Sequence, residues 1–307
     1  MIRIVPLLGL ALLATAPVAR AQDPLKPPVP ATPTGETAAS KSAPIERLAA
    51  WPKPADKDAL ITDIERVIKA HIPEMAAQGH DALVAAGVAA VPLVLERFGK
   101  ERNEEARDRL HEVLMKITTA EQTRLLAKEF ESKLAPVRVF TLHRAAAFPD
   151  PGIVDAADKA WARLAKAGEK ADPDERYSAA LCAASAGSIV GIDALFDACQ
   201  SKRWDREKRE IRIALEGARG KPATDALVAK LEKGDRKAKV AVLRMLAGCG
   251  EKAQAARLRP FLDDEDNAIR VAAINALRGM VDGEQPIEGL SAFEAIEMAK
   301  TWKGRQL

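Results

Sequence analysis

Six short stretches of this chain repeat one sentence at a nearly constant period, and that repetition limits the fold more than any other feature. A basic residue is followed seven positions later by an apolar or small one. The basic residues are Arg107, Arg138, Arg176, Lys208, Lys239 and Arg270, spaced 31, 38, 32, 31 and 31 residues apart. Seven beyond them stand Leu114, Ala145, Ala183, Leu215, Leu246 and Leu277. Repetition at this period is the mark of a stacked array, because one unit of that length cannot close a core alone.

The units read as helical hairpins. Hydrophobic residues make up 48% of the chain and aromatics only 4%, so the apolar content is chiefly Ala, Leu and Val. No sustained period-two alternation occurs, which leaves helix as the regular structure. First helices are expected over 87–98, 120–132, 152–168, 188–202, 221–234 and 251–264, each ahead of a basic marker. Pro222 fits a first turn, Gly234 and Gly248 fit helix ends, and Pro92 and Pro260 should bend the helices that contain them. The stretch "REKREIRIALEGA" is degenerate, which loosens the register of the fourth unit. Segments 58–72 and 291–303 are amphipathic and suit caps at the two ends. The expected fold is therefore all-α, a right-handed α-solenoid of about six antiparallel hairpins over 75–282 within a folded region 57–307.

"AGVAAVPLVLERF" and "LDDEDNAIRVAAINAL" carry a family likeness. Their wording resembles HEAT repeats, in particular the short HEAT-like variety also found in phycobilisome-lyase-type proteins, here as an exported bacterial-type member. The resemblance covers about residues 75–282. It implies a scaffold that binds another protein along a concave face lined by the second helices. Some phycobilisome-lyase-type relatives attach a chromophore, so a lyase-like role is the alternative that the resemblance raises.

The N-terminus reads as an export signal. Arg3 precedes an apolar run from Ile4 to Ala16, and Ala19-Arg20-Ala21 offers a cleavage site, giving a leader over 1–21. The run is shorter than the ~20 residues a membrane-spanning helix needs, so no span is expected after cleavage. No Cys follows it for lipid attachment. Residues 22–56 are rich in Pro, Ala and Thr and read as a disordered tether. The expected address is periplasmic or secreted. Without the leader the chain holds 45 basic and 44 acidic side chains. That near-balance gives no general attraction to nucleic acid.

Candidate chemistry is sparse. His71, His80, His111 and His143 share no metal-binding spacing. His111-Glu112 bears one comparison, because His-Glu pairs repeated across HEAT units hold the metals of di-iron deoxyhypusine hydroxylases. Those enzymes use four pairs and this chain has one, so a solvent-facing His on a helix is the plainer reading. The acidic cluster 263–266 reads as a turn with favourable charge at a helix start rather than a calcium loop, which needs alternating ligands and a central Gly. No nucleophile elbow or phosphate loop is present, and no cofactor is expected. Cys182, Cys199 and Cys249 read as small buried hydrophobes, with a Cys182–Cys199 disulfide as the alternative. Trp161 and Trp302 read as core.

Charge is distributed unevenly. Residues 200–260 contain 17 basic and 8 acidic side chains, while 22–199 and 261–307 are each net negative. In a solenoid that becomes a spatial band, read either as a collection of solvated helix faces or as a docking band for an acidic protein or a polyanion. Its candidate contributors are Arg203, Arg209, Arg212, Arg236, Lys237 and Arg244. Only Trp204 interrupts it with an aromatic ring, too little for single-stranded nucleic acid. On the concave face the candidate partner-binding residues are Glu112, His143, Arg244, Asn275 and Arg278.

Overall fold

The computed structural model describes residues 45–69 and 72–307. The expected leader, the tether up to residue 44 and His71 lie outside the described residues. Among those described there is no strand. α1 (Lys57–Ile68) and α2 (Pro73–Ala86) lead into α3 (Val91–Lys100) and α4 (Glu104–Ile117). A short α5 (Thr123–Ala127), extended on both sides by 3₁₀ turns, precedes α6 (Ala135–Ala146). Then come α7 (Val154–Ala167), α8 (Pro173–Ser185), α9 (Ile192–Cys199), α10 (Arg203–Gly217), α11 (Lys221–Leu231) and α12 (Arg236–Cys249). A 3₁₀ stretch over Lys252–Asp263 pairs with α13 (Asn267–Leu277), and α14 (Ala292–Gly304) ends the stack.

The sequence dictates where these helices begin. Asn103, Asp172, Asp235 and Asp266 each stand four residues before a basic marker and cap the second helix with a side-chain oxygen. Each satisfies a backbone N–H that the first turn would otherwise leave unpaired. Pro73, Pro136, Pro173 and Pro222 occupy first turns, where the missing N–H costs nothing. Pro92 belongs with them: it opens α3 instead of bending a longer helix, because Gly87 at φ +58° has already broken the run. Pro260 lies inside the 3₁₀ stretch.

The markers seven positions on deliver the core. Leu114, Ala145, Ala183, Leu215, Leu246 and Leu277 are all fully buried, so the register holds even through the degenerate fourth unit. From α6 onward, successive second helices pack directly: α6 on α8, α8 on α10, α10 on α12 and α12 on α13. Close approach is made by glycines at the same register position, Gly217, Gly248 and Gly279. A methyl at Gly217 would overlap the carbonyl oxygen of Ser185, and one at Gly279 that of Ala247. At Gly248 it would lie 2.9 Å from the Leu215 Cβ. Gly248 was expected to end its helix; it sits inside α12 and serves packing instead, while Gly234 lies in the turn beyond α11.

Two expectations at the N-terminal side are revised. The cap over 58–72 is not a lone helix, since α1 packs along α2 as a hairpin of its own and also meets α4. The tether does not run free to residue 56 either. Leu48 donates its backbone N–H to Glu121, and Arg47 pairs with Asp150 at 3.3 Å and donates to Thr123 Oγ1 at 3.1 Å. Trp51 adds a partly buried ring to the adjoining core. The run Pro73–Lys100 is apolar and long enough to cross a membrane. It breaks at Gly87, and Leu83, Val91, Val94 and Leu95 are buried in the first core cluster.

Candidate functional site

The second helices present two hollows on one face. The first, of about 660 Å³, lies over α4, α6, α8 and α10. Its walls are aromatic where α4 and α6 are bridged through α3. The His111 ring stands edge-on to Phe140 at 5.5 Å, and Phe98 meets Phe140 at 5.8 Å. His111 is exposed, as expected of a solvent-facing residue, while one side of its ring packs on Phe140. His143 lines the same hollow. Burial holds both imidazoles below the ordinary histidine range, which favours the neutral form.

Arg203, at the start of α10, lies over the ring of buried Tyr177 at 4.2 Å. It is held by Asp174 at 2.7 Å and Glu207 at 3.3 Å, so its charge is already answered. Arg144 is fixed differently. It donates to Thr118 Oγ1 at 2.8 Å and to the carbonyls of Met115 and Thr118, sealing the C-terminal end of α4. Arg109 does the same for α1, through the carbonyls of Val67 and Ile68. Cations at helix C-termini satisfy orphan carbonyls and meet the negative end of the helix dipole.

The second hollow, about 390 Å³, lies over α10, α12 and α13. Trp204 is its buried floor, with the guanidiniums of Arg212 and Arg244 over the ring at 5.4 and 5.0 Å. Arg244 donates to the Cys199 carbonyl at 3.2 Å. Burial pushes both guanidinium pKa values down, and for Arg244 the neighbouring charge of Arg212 adds to that. Neither has a carboxylate within ion-pair distance among the described residues. At one end Pro286 and Glu288 add to the lining: Asn275 Nδ2 donates to the Ile287 carbonyl at 3.1 Å, and the Ile287 N–H donates to Asn275 Oδ1 at 2.8 Å. Arg278 holds that segment from the side, through Glu284 at 2.7 Å and the Gln285 carbonyl at 3.3 Å.

The remaining candidates lie elsewhere. Glu112 is exposed on α4 and bonds Lys116 at 3.0 Å, outside both hollows. Arg209 is exposed and also outside them. Arg236 pairs with Asp266, and with Lys237 and Arg244 it lines a neighbouring hollow of about 410 Å³ beside Gln200. The structure thus brings His143 and Arg203 together in one hollow and Arg212, Arg244 and Asn275 in the other. Sequence reasoning missed Trp204 as an organiser, Tyr177, and the segment at 285–288. The chain's single Tyr and the lone ring in the basic segment were the available signals.

The acidic cluster acts as a helix start: Asp266 caps α13, and Asp264 accepts from the Asp266 N–H at 2.9 Å. Cys182, Cys199 and Cys249 are buried free thiols, so the Cys182–Cys199 disulfide is not formed. Trp302 is core, and Trp161 is partly buried against it beneath Arg176.

No curated protein and no solved structure matches the chain. Residues 224–293 match the family HEAT repeats, a span running from α11 to the first turn of α14. That stretch contains the last two hairpins and much of the second hollow, and the all-helical stack on either side of it has the architecture of an α-solenoid of HEAT repeats.

Proposed function

We propose that this chain is an exported, non-catalytic scaffold that holds a protein partner on the face formed by its second helices. The observation that carries this is the pair of hollows along α4 to α13, which mix aromatic walls, fixed cations and amide groups over several units. Such a surface has many weak, directional contacts spread along a line, as a polypeptide needs. Interaction with other proteins is also the general use of HEAT repeats. Export rests on the leader read over 1–21, and mass spectrometry of the mature N-terminus, expected at Gln22, tests it.

The polyanion reading of residues 200–260 is the weaker one. Many of those cations have carboxylate partners: Arg236 on Asp266, Lys221 on Asp225, Lys230 on Asp193, Arg257 on Glu232. A chromophore-handling role, raised by the likeness to phycobilisome-lyase-type repeats, predicts a visible absorption band in the purified chain.

Site-specific photo-crosslinking tests the scaffold. A crosslinker at Val139 or Val271, one in each hollow, should capture a discrete protein from the envelope fraction of the source cells. The same group at Lys159, exposed on α7, should not. Equal capture from all three positions, or none from the hollows, refutes the reading.

A further inference from the structure

Two cations of the second hollow, Arg212 and Arg244, form no direct ion pair among the described residues, and Glu288 and Asp205 act on them only from beyond ion-pair distance. Arg212 and Arg244 sit side by side over Trp204, half-buried, and the Arg212 Nε is enclosed without a partner. Of the acids in this hollow, Glu288 is taken by Lys208, and Asp205 forms no ion pair with either arginine. Partly desolvated guanidiniums without a direct ion pair are costly to keep, and a carboxylate meeting them in fork geometry recovers much of that cost. Between them Val240, Ala268, Val271 and Ala272 supply a shallow apolar lining.

The same hollow already shows how it grips a chain. Residues 284–288 have no regular secondary structure, and Pro286 and Glu288 contribute to its lining. Asn275 takes both backbone groups of Ile287, Arg278 takes the Gln285 carbonyl, and Lys208 takes the Glu288 carboxylate. That is an acidic segment held by its main chain through an amide and by its side chain through a cation. The arginines line the same hollow and offer the same chemistry.

Resting on the scaffold reading above, we infer that the hollow between α10, α12 and α13 docks an extended acidic peptide of the partner, whose carboxylates pair with Arg212 and Arg244 beside Trp204. A single buried ring and the carboxylate precedent of Glu288 favour an acidic polypeptide over a nucleic acid, which stacks successive bases on several rings. Charge complementarity, not burial of a large apolar patch, makes the selection.

The test uses the chain from residue 22 onward and a fluorescent peptide of alternating glutamate and threonine, read by anisotropy. Saturable binding should weaken about tenfold or more in the double variant Arg212→Gln/Arg244→Gln, since each loses a charge-assisted fork. Arg209→Gln/Lys233→Gln removes the same charge from exposed positions outside the hollow and should change affinity less than about twofold, the size of a screened field effect. Val271→Glu, which places a like charge at the lip without touching the arginines, should abolish binding while circular dichroism and melting temperature stay those of the parent. Equal losses in the two double variants overturn the inference, as does absence of saturable binding. It is overturned as well by a heparin oligosaccharide that depends on Arg212 and Arg244 where the glutamate peptide does not. A crosslinked partner found on this face whose contact segment lacks acidic residues would sink the inference and leave the scaffold standing. Peptide binding without any crosslinked partner would do the reverse.

Discussion

Arg138 closes a two-point ion pair on Glu175, Nε to Oε1 at 2.7 Å and Nη2 to Oε2 at 2.8 Å, across the junction of α6 and α8. Arg163 of α7 adds a third bond to Oε1 at 2.7 Å. The carboxylate is 3% exposed, so one group ties three helices of neighbouring units together where water cannot substitute. Burial alone would raise the Glu175 pKa, but the bonds from Arg138 and Arg163 outweigh it and leave the value below the ordinary range. A depressed folded-state pKa stabilises the fold above the unfolded value, about 4.3, and the gain is lost as pH falls toward the folded pKa. Glu175→Gln should therefore cost about 3 kcal/mol at pH 7, because Arg138 loses its counter-charge and Arg163 keeps only Glu131 at 3.5 Å. It should also flatten the acid limb of stability. Urea unfolding at neutral pH and below pH 4 checks both, and an unchanged acid limb would show that Glu175 is not the linked group.

The glycines at 217, 248 and 279 allow a sharper stability test. Gly279→Ala drives a methyl into the Ala247 carbonyl and Gly217→Ala into that of Ser185, backbone atoms that can move only by separating two second helices. Overpacking of this kind costs about 1–3 kcal/mol or more. Gly304→Ala meets nothing within 4 Å at the end of α14 and should be neutral or stabilising by up to about 1 kcal/mol through helix propensity. Thermal melts of the three variants give the order directly. Equal effects would mean that the second helices are not in contact at these positions.

Why was the stack readable and its hollows only partly so? The core obeys the repeat: a leucine seven places after Lys208, Lys239 or Arg270 faces the same neighbour each time, so period alone predicts burial. The hollows are assembled across units. Trp204 comes from one end of α10, Arg244 from α12, Asn275 from α13, and Ile287 from a segment with no place in the repeat. Net charge misled for a related reason. Arg203 finds Asp174 and Arg236 finds Asp266, each about one unit away, so a sum over 200–260 counts cations whose partners lie outside it. Arg212 and Arg244 stand out only when those pairings are known.

Three thiols in one protein make reactivity a simple probe of the packing. Burial pushes the Cys249 pKa up to about 12 and raises those of Cys182 and Cys199 as well. All three are enclosed by the main core cluster. Thiolate is the reactive form, so none should react with a disulfide reagent at pH 8 in the native state, and all three should react once denaturant is added. Fast labelling of any thiol in the native protein would place a breach in the stack at α8, α9 or α12.

The segment 284–288 is tied to α13 by one side chain. Asn275 makes two bonds to Ile287 from within α13, a pairing that only a side-chain amide can provide, as one group donates and the other accepts. Asn275→Ala removes both, and Asn275→Asp keeps the acceptor but loses the donor. Around Ile287 the chain has no regular hydrogen bonding of its own, and Gly283 and Gly289, both at positive φ, flank it as natural pivots. Freeing Ile287 should therefore open 284–290 locally while α13 and α14 keep their packing. Limited proteolysis should cut within that segment faster in Asn275→Ala than in the parent, by about five- to thirtyfold for the loss of two bonds each contributing on the order of 0.5–1 kcal/mol. Asn275→Asp should fall between them, and the melting temperature should move by only a few degrees. Unchanged cleavage in Asn275→Ala would show that the segment is held by Lys208–Glu288 and Arg278 instead, and that the amide pair adds nothing to its closure.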